Sequence, residues 1–250
     1  MTFSPSNLML RKKNRLRPKA YIDGILQQDR YILSRAITVI ESNLKSDKVL
    51  SQEIIENIMP YTGKALRIGI TGVPGVGKST FIERFGKLLT SLDKKIAILA
   101  IDPSSQLSRG SILGDKTRME SLAQDTLAYI RPSPAGKSLG GVGHKARDTM
   151  LLCEAAGFEV ILIETVGVGQ SETLVRSMVD CFLLLMLAGA GDELQGIKRG
   201  IMEMADIVAI TKADSSNLQH AKRAKNQYKN ALHLLPPSHS QWTPQVATCS

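Results

Sequence analysis

The chain has 250 residues, of which 43% are apolar and 22% are charged, a balance typical of a globular protein with a sizeable core. Its longest apolar run, CFLLLMLAGAG from Cys181, is too short to cross a bilayer and indicates a central strand, so a membrane is not expected as a partner. Cys153, Cys181 and Cys249 lie far apart, which argues against a disulfide framework or a metal knuckle. The cytoplasm, or an equivalent reducing matrix, suits such a chain.

The formal net charge of +9 raises the question of nucleic-acid binding, and the position of the charge matters more than its size. Much of it lies in RKKNRLRPK at residues 11–19, and no acid precedes Asp23. This pattern indicates either a solvated, disordered tail or part of an organelle-targeting segment. Aromatic residues make up only 4% of the chain, so stacking platforms for single strands are missing and nucleic acid is not expected as a partner.

The predicted elements change character along the chain. Residues 20–60 show apolar residues at three- and four-residue spacing and predict helix, closed by Pro60 and Gly63. Short β-rich runs and helical stretches then alternate, which predicts an α/β fold with a mainly parallel central sheet flanked by helices on both faces. The predicted strands are LRIGIT, KIAILAID, LAYIRP, FEVILIE, VDCFLLLML and DIVAIT, and the clearest helices are HKARDTMLLCEAAG, ELQGIKRGIMEMA and SNLQHAKRAKNQYKNALHLL. A surface loop, PPSHS, leads to a final short run, PQVATCS.

A phosphate-binding motif follows the first predicted strand. Gly72, Gly77, Lys78 and Ser79 match the pattern G-x-x-x-x-G-K-[ST] between a strand and a helix, the context that the motif requires. Lys78 would contact the β- and γ-phosphates of a nucleoside triphosphate, and the Ser79 hydroxyl would contact Mg²⁺. A glycine-rich turn without a ligand is the alternative. The expected nucleotide-binding segment comprises Gly72, Val73, Pro74, Gly75, Val76, Gly77, Lys78, Ser79 and Thr80.

Residues 160–172, VILIETVGVGQSE, predict a second phosphate motif. In nucleotide hydrolases of this kind, a second strand ends in an acid that holds Mg²⁺, and a glycine beyond it meets the γ-phosphate. Glu164 and Gly167 occupy these positions, so we expect them to act in catalysis together with Lys78. The segment after Glu164 is also a candidate switch, because a loop held by the γ-phosphate can relax when that group is lost. A charged strand cap followed by a flexible turn is the alternative.

Two further acids lie in loops or at strand ends. Asp102 ends the run KIAILAID, where ligands collect outside the carboxyl ends of parallel strands. An ordinary turn and helix-capping residue explains Asp102 equally well, since Asp-Pro-Ser-Ser is good turn chemistry. Asp115, in GSILGDKTRM, has no distinguishing feature on position alone.

The base is predicted from DIVAITKAD, which places Lys212 and Asp214 after a strand. A carboxylate at this position can accept hydrogen bonds from the N1–H and the exocyclic amine of guanine, which adenine does not offer in that arrangement. The Lys212 stem would lie along the purine ring. Thr211 stands where Asn is more usual, which weakens the expected selectivity for guanine.

Taken together, GVPGVGKST, AIDPSS, GSILGDKTRM, ETVGVGQSE, AGAGDELQGIKRGI and TKAD resemble the MeaB/ArgK family of P-loop GTPases, over about residues 20–250. The family consists of chaperones associated with methylmalonyl-CoA mutase and is related to the metallochaperone GTPases. The resemblance implies GTP/GDP and Mg²⁺ as cofactors and hydrolysis of GTP to GDP and phosphate. It also implies docking on an adenosylcobalamin-dependent acyl-CoA mutase, with nucleotide state coupled to loading of the cofactor and protection of the mutase. Cytoplasm and mitochondrial matrix both suit this role.

Carried over residue by residue, the resemblance gives phosphate and Mg²⁺ roles to Lys78 and Ser79 and assigns guanine to Asp214. It places Asp102, Asp115 and Glu164 in the metal and switch shell. Residues 189–199 match a mobile loop of the family, in which Asp192 and Lys198 would relay nucleotide state to the partner. A plain loop and helix start is the alternative for this segment. His144, where an Arg is common in the family, is expected to be a surface residue.

The last residues extend the resemblance to a further loop. TCS at residues 248–250 looks like the start of the last guanine-contacting loop, with Ser250 as a contact, and the family normally continues with a C-terminal dimerisation arm. We therefore expect a truncated protein or a fragment, and its dimerisation is in doubt. The expected organisation is a basic tail and helical segment at residues 1–62 and a P-loop GTPase domain at residues 63–250.

Three other functions compete with this one. A metallochaperone GTPase would need clustered Cys or His, whereas the histidines are scattered and no C-x-C or C-x-x-C occurs. A kinase or transport ATPase is disfavoured by the guanine motif. A nucleotide-binding module that does not hydrolyse its ligand is the third alternative, because the sequence does not identify a residue that positions the attacking water.

Overall fold

The computed structural model describes residues 15–102, 119–134, 139–165, 171–188, 199–214, 217–234 and 242–250. Three helices come first: α1 (Pro18–Leu26), α2 (Arg30–Ile40) and α3 (Lys45–Ile58), followed by a 3-10 turn at Met59–Tyr61. The strands are β1 (Leu66–Gly72), β2 (Ile96–Asp102), β3 (Ala128–Pro134), β4 (Val160–Thr165), β5 (Cys181–Leu187), β6 (Ile207–Thr211) and β7 (Gln245–Thr248). The intervening helices are α4 (Lys78–Ser91), α5 (Glu120–Ala123), α6 (Leu139–Ala155), α7 (Ser171–Arg176), α8 (Arg199–Met204) and α9 (Leu218–His233).

The seven strands form one sheet in the order β3-β2-β4-β1-β5-β6-β7, and all neighbouring pairs are parallel. The predicted α/β fold with a parallel sheet is therefore confirmed. β1 lies in the centre, with Ile70 opposite Glu164 of β4 and Gly72 opposite Leu185 of β5. Because parallel strands point the same way, their carboxyl ends meet at one edge of the sheet, where ligands of such folds collect.

Both faces of the sheet are covered. In β4, Ile161 and Ile163 point into a core shared with the N-terminal helices and α6, whereas Val160 and Leu162 point into a second core on the other face. The alternation has the period of two that a strand imposes. Strands buried on both faces explain why the sequence shows continuous apolar runs rather than alternating ones.

The single helical pattern predicted for residues 20–60 is divided into three helices. Asp29 separates the first two, because its side chain accepts hydrogen bonds from the backbone N–H groups of Tyr31 and Ile32 at 2.8 and 3.1 Å and so caps α2. Tyr21, Ile37 and Ile54 are fully buried in the core that also contains residues of β2 and β4. The N-terminal helices therefore share a hydrophobic core with the sheet.

Residues 15–19 of the basic run are folded, so these five residues differ from the predicted solvated tail. The Arg15 guanidinium pairs with Asp47 of α3, with 2.9 Å between Nε and Oδ1, and the Asp47 residue is only 2% exposed. A carboxylate buried to that degree needs a partner, and Arg15 supplies it. The first helix begins at Pro18, where proline is favoured in a first turn. Residues 1–14 lie outside the described part.

Helix α6 begins at Leu139, five residues before the predicted start at His144. Gly143, in the residues added to this helix, is a site of close packing. A Cβ atom at Gly143 would lie 2.6 Å from Leu174 Cδ1 of α7. The predicted helix at residues 193–205 is described at Arg199–Met204, and the loop PPSHS lies outside the described residues. No helix in the described ranges is long and apolar enough to cross a membrane.

Candidate functional site at the carboxyl edge of the sheet

The phosphate loop joins the end of β1 to the start of α4. Gly72 has φ of +155°, and a Cβ atom there would lie 2.6 Å from the backbone oxygen of Leu185, so no other residue fits. Gly77 has φ of +95° and precedes the first residue of α4, which is Lys78. The first turn of α4 therefore points its N–H groups and its positive end toward the loop, the usual arrangement for binding phosphate.

Lys78 folds back over this loop. Its ammonium donates hydrogen bonds to the carbonyl oxygens of Gly72 at 2.7 Å and Val73 at 3.3 Å. Partial burial lowers the pKa of Lys78, while the carboxylates of Glu164 and Glu172 act in the opposite direction. The structure thus places a cation at the loop, on the side where two acids approach.

Ser79 and Glu164, which belong to the two predicted phosphate motifs, lie close together. The Ser79 Oγ is 3.5 Å from Glu164 Oε1, which joins the first turn of α4 to the end of β4. A hydroxyl and a carboxylate are hard oxygen ligands, and their proximity suits Mg²⁺. Asp102 is the last residue of β2, and its backbone lies at the same edge because β2 pairs with β4. The Asp102 side chain, Asp115 and Gly167 lie outside the described residues.

The predicted base turn follows β6. Asp214 is exposed, and Lys212 has φ of +55°, which bends the backbone sharply at this point. The Ala213 N–H donates to the carbonyl oxygen of Cys249 at 3.0 Å, and the Cys249 N–H donates to the carbonyl oxygen of Ile210 at 2.9 Å. The two segments predicted to contact guanine, TKAD and the end of the chain with Ser250, are therefore adjacent.

Two residues that shape the base turn were not recognised from the sequence. The Thr211 hydroxyl lies 2.8 Å from the carbonyl oxygen of Val76 and 3.2 Å from that of Met186, so it links the base turn directly to the phosphate loop. Asn217 donates from its side-chain amide to the carbonyl oxygen of Lys212 at 2.9 Å, and from its backbone to that of Asp214 at 2.9 Å. In the sequence, Thr211 is recognisable only as a substitute for Asn. No sequence pattern predicts that Asn217 holds the base turn.

The structure does not describe two of the remaining predicted residues and places a third at the surface. Asp192 and Lys198 lie outside the described residues, whereas His144 is exposed on α6, as expected. Within the described ranges, no group of three or more His, Cys, Asp or Glu residues could hold a metal ion. The three cysteines, Cys153, Cys181 and Cys249, are free. No clustered ligand set in this part of the chain therefore favours the metallochaperone alternative.

Comparison with known proteins identifies relatives of the whole described fold. A family model described as "Methylmalonyl Co-A mutase-associated GTPase MeaB" matches residues 33–250. A protein of Caulobacter vibrioides is 57% identical over 222 residues, covering 89% of this chain and 68% of its own length. The Escherichia coli GTPase ArgK is 52% identical, covering 92% and 69%. A mouse protein named "Methylmalonic aciduria type A homolog, mitochondrial" is 48% identical, covering 91% and 57%.

Solved structures share the fold. A crystal structure of a LAO/AO transport system kinase superposes with a TM-score of 0.80 at 43% identity, over 95% of this chain and 70% of that one. HypB from Helicobacter pylori in complex with nickel superposes with a TM-score of 0.54 at 18% identity, over 79% and 84%, and shares the fold alone. Motifs, sheet order and relatives agree, and we conclude that this chain belongs to the MeaB family and is a P-loop GTPase.

Proposed function

We propose that the carboxyl edge of the sheet is the GTPase site and that it works with Mg²⁺. The observation that supports this most is the contact between Ser79 and Glu164, on two different motifs, with Lys78 over the same loop. The proposed catalytic residues are Lys78, Glu164 and Gly167. The proposed metal ligands, direct or through water, are Ser79, Asp102, Asp115 and Glu164.

Each described residue would contribute a separate part of the chemistry. Mg²⁺ bound at Ser79 and Glu164 would neutralise charge on the β- and γ-phosphates. Lys78 would give up its hydrogen bonds to the loop carbonyl oxygens and donate hydrogen bonds to the phosphate oxygens instead. The N–H groups of the loop would hold the phosphates in line for attack by water.

Guanine would bind at the turn that follows β6. Asp214 is exposed and free to accept from the guanine edge, and its turn is held by Asn217 and by the segment ending at Ser250. Lys212 would cover the ring with its apolar stem. This arrangement argues against the kinase or ATPase alternative, because adenine does not present two donors to a carboxylate.

The proposed partner is an adenosylcobalamin-dependent acyl-CoA mutase of the methylmalonyl-CoA mutase type. The description of the matching family names that mutase, and the mouse relative is named for methylmalonic aciduria. We propose that nucleotide state controls loading of the cofactor and protection of the mutase, with Asp192 and Lys198 relaying that state. The cytoplasm is the proposed location, and the mitochondrial matrix is the alternative, as the name of the mouse relative suggests.

The partner proposal predicts a change in rate. Switch segments often need outside contacts to become ordered, so we expect slow hydrolysis by the chain alone and faster hydrolysis with the mutase. Single-turnover GTP hydrolysis measured with and without saturating methylmalonyl-CoA mutase checks this. Lys78→Ala serves as the control, because it should abolish turnover in both conditions while the fold remains. A wild-type rate unaffected by the mutase would count against the coupling.

A further inference from the structure

A buried carboxylate lies beside the proposed site and is not among the proposed catalytic residues or metal ligands. Glu172, on α7, has 0% exposure. Its Oε1 is 3.4 Å from the hydroxyl oxygens of both Thr71 and Thr165, and the two hydroxyl oxygens are 2.8 Å apart. The three side chains form one buried polar cluster.

The cluster joins the two strands that carry the phosphate motifs. Thr71 immediately precedes Gly72, the first residue of the phosphate loop, and Thr165 immediately follows Glu164. Since each hydroxyl has one proton, one consistent arrangement is that Thr165 donates to Thr71 and Thr71 donates to Glu172. The carboxylate thereby takes part in a chain of hydrogen bonds that crosses from β4 to β1.

Other contacts already hold α7 in place. Val175 is fully buried above Gly69 of β1, where a Cβ atom would lie 2.8 Å from Val175 Cγ1. Arg176 forms two hydrogen bonds to Asp206, at 2.7 and 2.9 Å. A buried carboxylate is costly to desolvate, and an apolar side chain of similar volume would serve packing at least as well. Packing of α7 against the sheet therefore does not explain why residue 172 is a carboxylate.

We propose that Glu172 is a positioning residue for Mg²⁺-dependent GTP hydrolysis. With Thr71 and Thr165 it fixes the ends of β1 and β4 relative to each other, and so keeps Ser79 and Glu164 close enough to share one Mg²⁺. This inference rests on the proposed function of the Ser79–Glu164 pair. It assigns Glu172 no contact with nucleotide or metal.

The experiment measures the Mg²⁺ concentration that gives half-maximal GTP hydrolysis. Glu172→Met keeps the volume and removes the acceptor, and we expect it to raise that concentration about 10-fold, the scale on which residues behind metal ligands act. GDP affinity without Mg²⁺ should change less than the Mg²⁺ requirement, because the loop and base contacts remain and only the charge effect of Glu172 on Lys78 is lost. Glu172→Gln keeps an acceptor and should restore part of the loss.

Glu154 provides the matched control. It is another buried carboxylate, paired with Arg67 and with the Gly63 N–H. Glu154→Met should lower the melting temperature without shifting the Mg²⁺ dependence. A merely structural role for Glu172 would make the two methionine variants behave alike, with lower stability and an unchanged Mg²⁺ requirement, and that result would overturn the inference.

A second variant covers the case in which Glu172→Met does not fold. If Glu172→Met fails to fold by circular dichroism, Thr165→Val breaks the same chain from β4 without a change of shape. A Mg²⁺ requirement equal to wild type in a folded Thr165→Val protein would then overturn the inference. Wild-type protein that shows no Mg²⁺-dependent turnover would refute the proposed site and, with it, the role of Glu172.

Discussion

At the end of β6, a hydroxyl group connects the base turn to the phosphate loop. Thr211 is buried, and its hydroxyl reaches the carbonyl oxygen of Val76 at 2.8 Å. Thr211 stands where Asn is more usual. Its hydroxyl forms a hydrogen bond that connects the base turn to the phosphate loop of the proposed nucleotide site. The loss of that bond should affect binding even though Thr211 need not touch the nucleotide.

We expect Thr211→Val to weaken GDP binding about 5-fold, since it removes a hydrogen bond worth about 1 kcal/mol and leaves the Val76 carbonyl without that donor. Thr211→Ser keeps the hydroxyl and should bind GDP nearly as wild type does. Isothermal titration calorimetry on the three proteins measures the difference. Equal GDP affinities for Thr211→Val and wild type would show that the hydrogen bond between Thr211 and Val76 does not contribute to GDP binding.

The charge state of Asp125 makes the folding stability of the chain depend on pH at acidic values. Its hydrogen bonds to the Lys87 ammonium and the Leu127 N–H lower its pKa to about 2, from an ordinary 3.8. A lowered pKa stabilises the folded state at pH values above the unfolded pKa, and this contribution is lost as the pH falls from about 4 toward 2. Because Lys87 is 46% exposed, solvent screening limits the contribution to about 1 kcal/mol.

Asp125→Asn should therefore lower the free energy of unfolding by about 1 kcal/mol at pH 7, with the difference from wild type shrinking at pH 3. Urea denaturation of both proteins at the two pH values measures this. A difference of the same size at pH 3 would mean that the effect comes from the shape of the side chain rather than from its charge.

The sequence is most informative about the residues proposed to contact a ligand and least informative about the residues that support them. Lys78, Ser79 and Asp214 belong to short patterns whose chemistry is local, so their roles can be predicted from neighbouring letters. Glu172 and Asn217 act through partners distant in the chain or across a turn. Glu172 stood in a recognised stretch, ETVGVGQSE, but only the fold reveals that it is buried beside Thr71.

Among the elements, helices α6 and α7 show how a glycine inside a helix can lead to a wrong prediction of where the helix begins. Gly143 lies in the interior of α6, where the absence of a side chain lets Leu174 of α7 approach. Sequence patterns associate runs of glycine with loops, because glycine is a poor helix former. Close packing between two helices overrides that preference here, which is why the start of α6 was predicted too late.

This packing predicts opposite effects for two glycines. Gly143→Ala should destabilise the protein by about 1 kcal/mol, because the new methyl group displaces Leu174. Gly200→Ala, in α8, would place its methyl group where no atom of the described residues lies within 4 Å, and it should stabilise by about 0.5 kcal/mol through helix propensity. Thermal unfolding of both variants measures the contrast. Stabilisation by both substitutions would show that the α6–α7 contact is not tight.

For the molecule as a whole, the alternation of strand and helix correctly predicted a parallel sheet with helices on both faces. The strand order was not predicted, because it depends on which faces pack together rather than on any one segment. Placing β1 between β4 and β5 brings the two phosphate motifs into contact, and β6 lies next to β5 on the base side. The N-terminal helices add to the same core, and the Arg15–Asp47 pair fixes their start.

In the proposed nucleotide site, guanine recognition and phosphate binding occur together at this edge of the sheet. Calorimetric titration of the purified chain with GDP and, separately, ADP in Mg²⁺ tests it most directly, with Asp214→Ala as the variant and Asp23→Ala, an exposed acid on α1, as its control. We predict that GDP binds to wild type and to Asp23→Ala, that ADP binds to neither, and that Asp214→Ala loses GDP binding. Equal binding of GDP and ADP, or unchanged GDP binding in Asp214→Ala, would contradict the assignment.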